Sequence, residues 1–165
     1  MATVQKISAN LWFDKQGEDA AKFYVSVFKN SKIGKISRYG KAGFDVHKMP
    51  EGTVMTVEFE LEGQTFVALN GGPVFTFSEA ISFIVNCETQ EEIDYYWQKL
   101  GEGGDEKARQ CGWLKDKFGL SWQIVPHVLR EMMTDPDTAK SGRAMSAMLK
   151  MKKLDIAELE RAFNG

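Results

Sequence analysis

Histidine and cysteine, the side chains best suited to move a proton or act as a nucleophile near neutral pH, are few in this 165-residue chain. There are two histidines. His47 stands in a loop segment beside Asp45, and His127 opens a segment that reads as a helix. Either could act as a general base or a metal ligand, but an isolated histidine is more commonly a surface or capping group. The two cysteines are Cys87 and Cys111. A nucleophilic thiol needs a base or a positive end nearby. Cys87 has none close in sequence, and Cys111 has Lys107 and Arg109; both read as structural or incidental thiols. Glu58 and Glu60 share one strand face and could form a paired-carboxylate site. A solvated outer face is the plainer account, because Phe59 and Leu61 supply the core side.

Neutral polar residues offer a different chemistry. Asn10, Asn70, Ser82 and Gln123 fall in or at the ends of strand-like runs. A few such groups in an apolar pocket are what a small-molecule site needs. Trp12 shares a face with Ser8 and Asn10. Phe75 and Phe77 lie on a connection between two halves of the chain and could cover a pocket. For Trp12, Phe75, Phe77, Trp113 and Trp122, pocket lining and plain core packing both remain open. Asn70, in "LNGG", is the expected orienting group, because a strand there meets a flexible turn.

The elements that must position these residues follow from the totals and the periodicity. The length suits one domain, or two small modules sharing a core. With 43% hydrophobic and 27% charged residues, the composition is that of an ordinary soluble globular protein. A net charge of −2 gives no electrostatic reason to expect nucleic acid or an anionic membrane. No apolar run approaches the roughly 20 residues of a membrane span, and "MATVQKISANLWF" does not read as a signal peptide. Two cysteines make no disulfide framework, so a reduced, cytoplasmic protein is expected.

Along the chain, "VQKISANLWF" alternates as a strand, with Ile7, Leu11 and Phe13 on one face and Ser8, Asn10 and Trp12 on the other. "EDAAKFYVSVFKN" is an amphipathic helix burying Ala20, Phe23, Val27 and Tyr24. "SKIGKISRYG" is a weaker strand with a basic outer face, and "KAGFDVHKMPEG" is a loop. "TVMTVEFELEG" and "GQTFVALNGG" form a hairpin turning at Glu62-Gly63. After a linker, "PVFTFSE", a second series begins. "AISFIVNC" is a strand, and "TQEEIDYYWQKL" is a helix with a capping box at Thr89 and Glu92. "GEGGDEKARQCG" then contains a short strand, and "WLKDKFG" and "LSWQIVP" form a last hairpin. The two series have one order: strand, helix, three strands. Gly63 aligns with Gly119 in the two final hairpins, the mark of an internal duplication. Two such small modules should pack as a pair. The fold class is therefore α+β, with paired βαβββ modules at 1–73 and 78–126 and a helical extension at 127–165. In that extension Ala144, Met145, Met148, Leu149 and Met151 fall at helical spacing, Asp residues cap two helices, and Ile156, Leu159 and Phe163 point inward. The methionines read as adaptable packing.

The chain resembles the PhnB-like branch, labelled 3-demethylubiquinone-9 3-methyltransferase-like, of the vicinal oxygen chelate superfamily. That superfamily is also called the glyoxalase / bleomycin-resistance / dioxygenase superfamily. The resemblance rests on "LWFDKQGEDAAKFYVSVFKNSKI", "FVALNGGPVFTFSEAISFIVNCETQEEIDYYWQKL", "GWLKDKFGLSWQIVP" and the tail "DPDTAKSGRAMSAMLKMKKLDIAELERAF". It implies a cupped sheet in each module, and often a homodimer. Metal-dependent members place His or Glu on the first and last strands of each module. Here the matching positions fall at Ser8 (or Asn10, two residues on), near Val67, at Ala80 (or Ser82) and at Gln123. None is His, Asp, Glu or Cys, and neutral oxygen donors do not replace the charge a divalent transition metal needs. No metal and no cofactor are expected. The methyltransferase label finds no support in a glycine-rich cofactor turn, because neither "ALNGGPVF" nor "LGEGGDEKARQ" runs from strand into helix. The expectation is metal-independent binding of an unidentified small molecule, such as sequestration of an amphipathic or aromatic compound, by Asn10, Trp12, Asn70, Phe77, Ser82 and Gln123. The alternative is an enzyme: a lyase, isomerase or dioxygenase of the same superfamily, or the methyltransferase of the label.

Overall fold

The computed structural model describes residues 4–165. The chain divides into two compact units, Met1–Thr76 and Phe77–Gly165.

In the N-terminal unit the order is β1 (Ala9–Phe13), α1 (Gly17–Val27), β2 (Lys32–Arg38), α2 (Phe44–His47), β3 (Val54–Leu61) and β4 (Gln64–Asn70). The strands form one sheet in the order β1-β4-β3-β2. β1 runs parallel to β4, and the other neighbours are antiparallel. The β3–β4 hairpin closes through Glu62 (φ 48°) and Gly63 (φ 79°), both left-handed. That is the two-residue turn whose twist matches paired strands. Alternation along the strands separates two faces. Leu11, Phe13, Val57, Phe59, Leu61, Phe66 and Ala68 are buried, and α1 packs against β3 and β4 with Ala20, Ala21, Tyr24 and Val27 buried. The tyrosine ring stacks on Phe59 at 6.1 Å and Phe59 on Phe66 at 5.4 Å. Ile7 departs from the expected pattern. It is exposed, and the strand starts only at Ala9. The Gln5 side chain explains this: its amide accepts the Thr65 N–H at 3.0 Å, taking the place of a strand partner at that position.

The C-terminal unit has β5 (Ser82–Cys87), α3 (Gln90–Gly101), β6 (Trp113–Lys115), β7 (Ser121–Pro126), and then α4 (His127–Met133), α5 (Thr138–Met148) and α6 (Ile156–Asn164). Its sheet has the order β5-β7-β6, with β5 parallel and β6 antiparallel to β7. The extra strand expected before β6 is instead a 3₁₀ turn, Glu106–Ala108, and a lone bridge between Gln110 and Trp113. Local polar geometry accounts for the difference. The Asp105 carboxylate accepts the Lys107 N–H at 2.9 Å and tightens the turn. Cys111 (φ 52°) and Gly112 (φ 82°) then reverse the chain, and their N–H groups donate to the carbonyls of Met151 and Lys152 at 2.8 Å. The segment after α5 thus takes backbone bonds that a fourth strand would have used.

Helix α3 begins as expected at Thr89, whose hydroxyl accepts the Glu92 N–H at 3.3 Å. The Glu92 carboxylate closes the box on the N–H of Glu88, at 2.7 Å. Asp137 and Asp155 cap α5 and α6. The helical extension packs around Leu129, Met132, Ala144, Met151, Leu154 and Leu159. Met145 and Leu149 are exposed rather than inward. No helix among the described residues is long and apolar enough to cross a membrane.

Candidate ligand-binding faces

Within its own unit, and among the described residues, each sheet has one face under a helix and one without. On the open face of the N-terminal sheet, the register sets Asn10, Val67 and Glu58 side by side across β1, β4 and β3. The next row is Trp12, Leu69 and Thr56, with the Thr56 and Ser37 hydroxyls hydrogen-bonded to each other. Trp12 is half-buried. Its indole N–H donates to the Gly72 carbonyl at 2.9 Å, and the Phe75 ring meets it edge-on at 4.9 Å. Gly71 lies so close beneath the indole that a Cβ there would come within 2.2 Å of the ring. The indole is thus held flat by its glycine turn, with Phe75 itself exposed. Glu58 is a titratable member of this face that periodicity alone assigned to solvent. The Gly63 hairpin register, which pairs it with Val67, was the signal that could have placed it beside Asn10.

Asn70 has a different place. It lies on the covered face and is 5% exposed. Its carbonyl oxygen accepts the Gly17 N–H at 2.7 Å, and its amide donates to the Val54 carbonyl at 3.1 Å. Both polar ends are engaged in joining the start of α1 to the sheet. The expected orienting group is therefore a strut within the N-terminal unit. Alternation dictates this: Asn70 follows Phe66 and Ala68 on the buried side of β4.

On the open face of the C-terminal sheet, Ile84, Gln123 and Trp113 form one row across β5, β7 and β6, and Ser82, Ser121 and Lys115 form the next. The Gln123 side-chain amide donates to the Ser82 hydroxyl at 2.9 Å. Ile84 is 56% exposed beside it. The Lys115 ammonium is paired with Glu79 at 2.5 Å. The register also corrects the correspondence between the modules by two residues. Val67 and Gln123 each stand four after their turn glycines, and they pair with Asn10 and Ile84. Asn10 therefore corresponds to Ile84, and Ser82 to Ser8. Phe77 lies half-buried in the irregular segment before β5. Trp122 points to the covered face, 3% exposed, as its position next to Gln123 requires.

The remaining candidates are occupied by local structure. The His47 ring accepts the Met49 N–H at Nδ1 (2.9 Å) and lies 3.1 Å from the Ala42 carbonyl through Nε2. With Nδ1 accepting, the tautomer that fits this arrangement carries its proton on Nε2. His127 is exposed at the start of α4. Cys87 is buried, and burial, with Glu92 adding to it, pushes its thiol up to about 12. It is no nucleophile at neutral pH.

The donor set does not fit a transition metal. The strand positions in question hold Asn10, Val67, Ser82 or Ile84, and Gln123, a mixture of amides, a hydroxyl and alkyl groups. Among the described residues, no three His, Cys, Asp or Glu side chains gather as a metal site. Nor do the residues fit a dinucleotide-type cofactor turn. Gly71 and Gly72 follow β4, but the next element is strand β5, with no helix N-terminus to receive a charged group.

Comparison with known proteins decides the family. The family model described as 3-demethylubiquinone-9 3-methyltransferase matches residues 5–125. The chain belongs to that family. A Bacillus cereus PhnB protein, which carries the same methyltransferase label, is 39% identical with a TM-score of 0.62, over 74% of this chain and 99% of its own. A Pseudomonas aeruginosa protein is 16% identical with a TM-score of 0.56, over 74% and 98%. A glyoxalase/bleomycin resistance/dioxygenase domain from Frankia is also similar, at 13% identity and TM-score 0.45, over 75% and 93%; a likeness that loose carries no argument by itself. No curated protein matches the chain. The PhnB-like resemblance drawn from the sequence holds.

Proposed function

We propose that the protein is a metal-independent small-molecule-binding member of this family, working as a homodimer. The row Ile84–Gln123–Trp113 carries the reading. An exposed aliphatic side chain, a primary amide and an indole stand abreast on a sheet face that has no helix over it within its unit. Exposed apolar surface around a few oriented polar groups is how small-molecule sites are built. Asn10 and Trp12 give the N-terminal sheet the same combination. The methyltransferase name belongs to the family and to the Bacillus cereus relative. In this chain it lacks a cofactor turn to support it, so binding is preferred to group transfer.

Thermal unfolding in the presence of a library of aromatic and amphipathic compounds tests the proposal. Members of the library should raise the midpoint, as any ligand of the native state must. A shift caused by divalent cations or by S-adenosylmethionine, with none from the library, would favour the enzyme reading instead.

A further inference from the structure

Resting on the binding reading above, we infer that the open face of the C-terminal sheet selects neutral, flat ligands whose edge carries a hydrogen-bond donor beside an acceptor, as a lactam does, and rejects carboxylates. The Ser82–Gln123 pair specifies that edge. One Gln123 N–H is given to the Ser82 oxygen at 2.9 Å. A hydroxyl that accepts in this way still has its own proton to donate, and the glutamine amide retains a carbonyl acceptor and a second N–H. Two half-buried side chains thus present donor and acceptor groups together. The flanking residues favour a flat ligand. Ile84 on one side and Trp113 on the other lie in register with Gln123, so a planar ring over the amide rests on an alkyl group and an indole.

Charge decides the second half of the inference. The cation that stands on this face in the adjacent row, Lys115, is already held by Glu79 at 2.5 Å. A carboxylate bound over Gln123 would lose water against neutral groups and meet a lysine whose charge is balanced. An ion desolvated without a partner is strongly disfavoured. A lactam loses less on desolvation and recovers it through the amide–hydroxyl pair. Sites built to hydrogen-bond a ligand reject analogues that lack the group by large factors, because their own polar atoms are left unpaired.

Calorimetric titration of the full chain with 2-quinolinone, quinoline and quinoline-2-carboxylate tests this, with the Trp113 indole and Gln123 amide resonances followed by NMR. The lactam should bind on the order of tenfold more tightly than the carboxylate and perturb both resonances. Gln123→Met should cost the lactam about tenfold and quinoline, which can take only one hydrogen bond through its ring nitrogen, severalfold less; Ser82→Ala should weaken the lactam in the same selective way. Equal binding of lactam and carboxylate, or a lactam affinity indifferent to both substitutions, would overturn the inference while sparing the binding reading. If none of the three compounds perturbs either resonance, while other aromatic compounds raise the melting midpoint, the inference alone fails. If no aromatic compound binds at all, both fail.

Discussion

The indole N–H of Trp122 donates to Oδ2 of Asp116 at 2.8 Å, and both side chains are nearly inaccessible, at 3% and 2% exposure. The other carboxylate oxygen accepts the N–H groups of Phe118 and Leu120 at 2.8 and 3.1 Å. One side chain therefore closes the β6–β7 turn and anchors the covered face of β7, which fixes Gln123 on the opposite face. Asp116→Ala would strand buried donors and should destabilise the chain by about 3 kcal/mol. Asp116→Asn is informative because it is nearly isosteric. It keeps one acceptor but turns an NH₂ group on either the indole or the turn amides, and should cost about 2 kcal/mol. Urea unfolding of both variants measures this. A loss below about 0.5 kcal/mol for Asp116→Ala, the scale of an ordinary surface change, would mean that the carboxylate is not the anchor.

Asn70 and Gly17 make a second linked pair. A Cβ on Gly17 would stand 2.8 Å from the Asn70 side-chain oxygen, so any larger residue there must displace the Asn70 amide. Gly17→Ala should be destabilising for that steric reason. Asn70→Asp should destabilise by about 2 kcal/mol, because it turns a carboxylate oxygen towards the Val54 carbonyl in place of a donor. Ligand affinity of the folded variant should stay within twofold of the unaltered chain, which separates a strut from a binding group. A selective loss of affinity with an unchanged unfolding midpoint would return Asn70 to the site.

How far the sequence disclosed these arrangements depended on the range of the interaction involved. The α1 and α3 faces, the Glu62-Gly63 turn and the caps at Thr89, Asp137 and Asp155 depend on neighbours within a turn or two, and period and residue type displayed them. Alternation assigned the faces of strand β1, but its register needed its partner. Its parallel pairing with β4 is what set Asn10 level with Val67 and removed the two-residue ambiguity. The short strand expected within "GEGGDEKARQCG" failed for a non-local reason: carbonyls of Met151 and Lys152, some forty residues on, capture the Cys111 and Gly112 N–H groups. Asn70 misled because a strand end beside two glycines suggested exposure, whereas alternation from Phe66 already put it inside. The row of Ile84, Gln123 and Trp113 unites three strands, and only the sheet order β5-β7-β6 reveals it.

The Trp12 platform yields a spectroscopic prediction. Gly71→Ala would drive a methyl group into the indole, which must then leave the Phe75 edge and release the Gly72 carbonyl. The variant should lose about 1–3 kcal/mol, the range for overpacking, and the near-ultraviolet circular dichroism of the indole should weaken. Phe75→Ala should weaken the same signal with a smaller loss of stability, because Phe75 is already exposed. Spectra unchanged in both variants would show that the indole is not held between the two groups.

Cys87 makes a prediction at alkaline pH. Its thiol is raised from an ordinary 9.0 to about 12, chiefly by burial and then by Glu92. The unfolded chain releases this proton as pH passes the ordinary value, while the native chain keeps it until about 12. Between the two, the unfolded state binds fewer protons, so stability must fall as pH rises. Below pH 9 both states hold the proton and the effect vanishes. Cys87→Ala should remove this part of the alkaline decline while adding a pH-independent loss from the small cavity it leaves. Unfolding free energies measured from pH 7 to 10.5 would test the slope. Parallel curves for the variant and the unaltered chain would show that the buried thiol titrates normally. The same burial predicts that thiol reagents at pH 8 modify half-buried Cys111 before Cys87, with Cys87 reacting at the rate of unfolding.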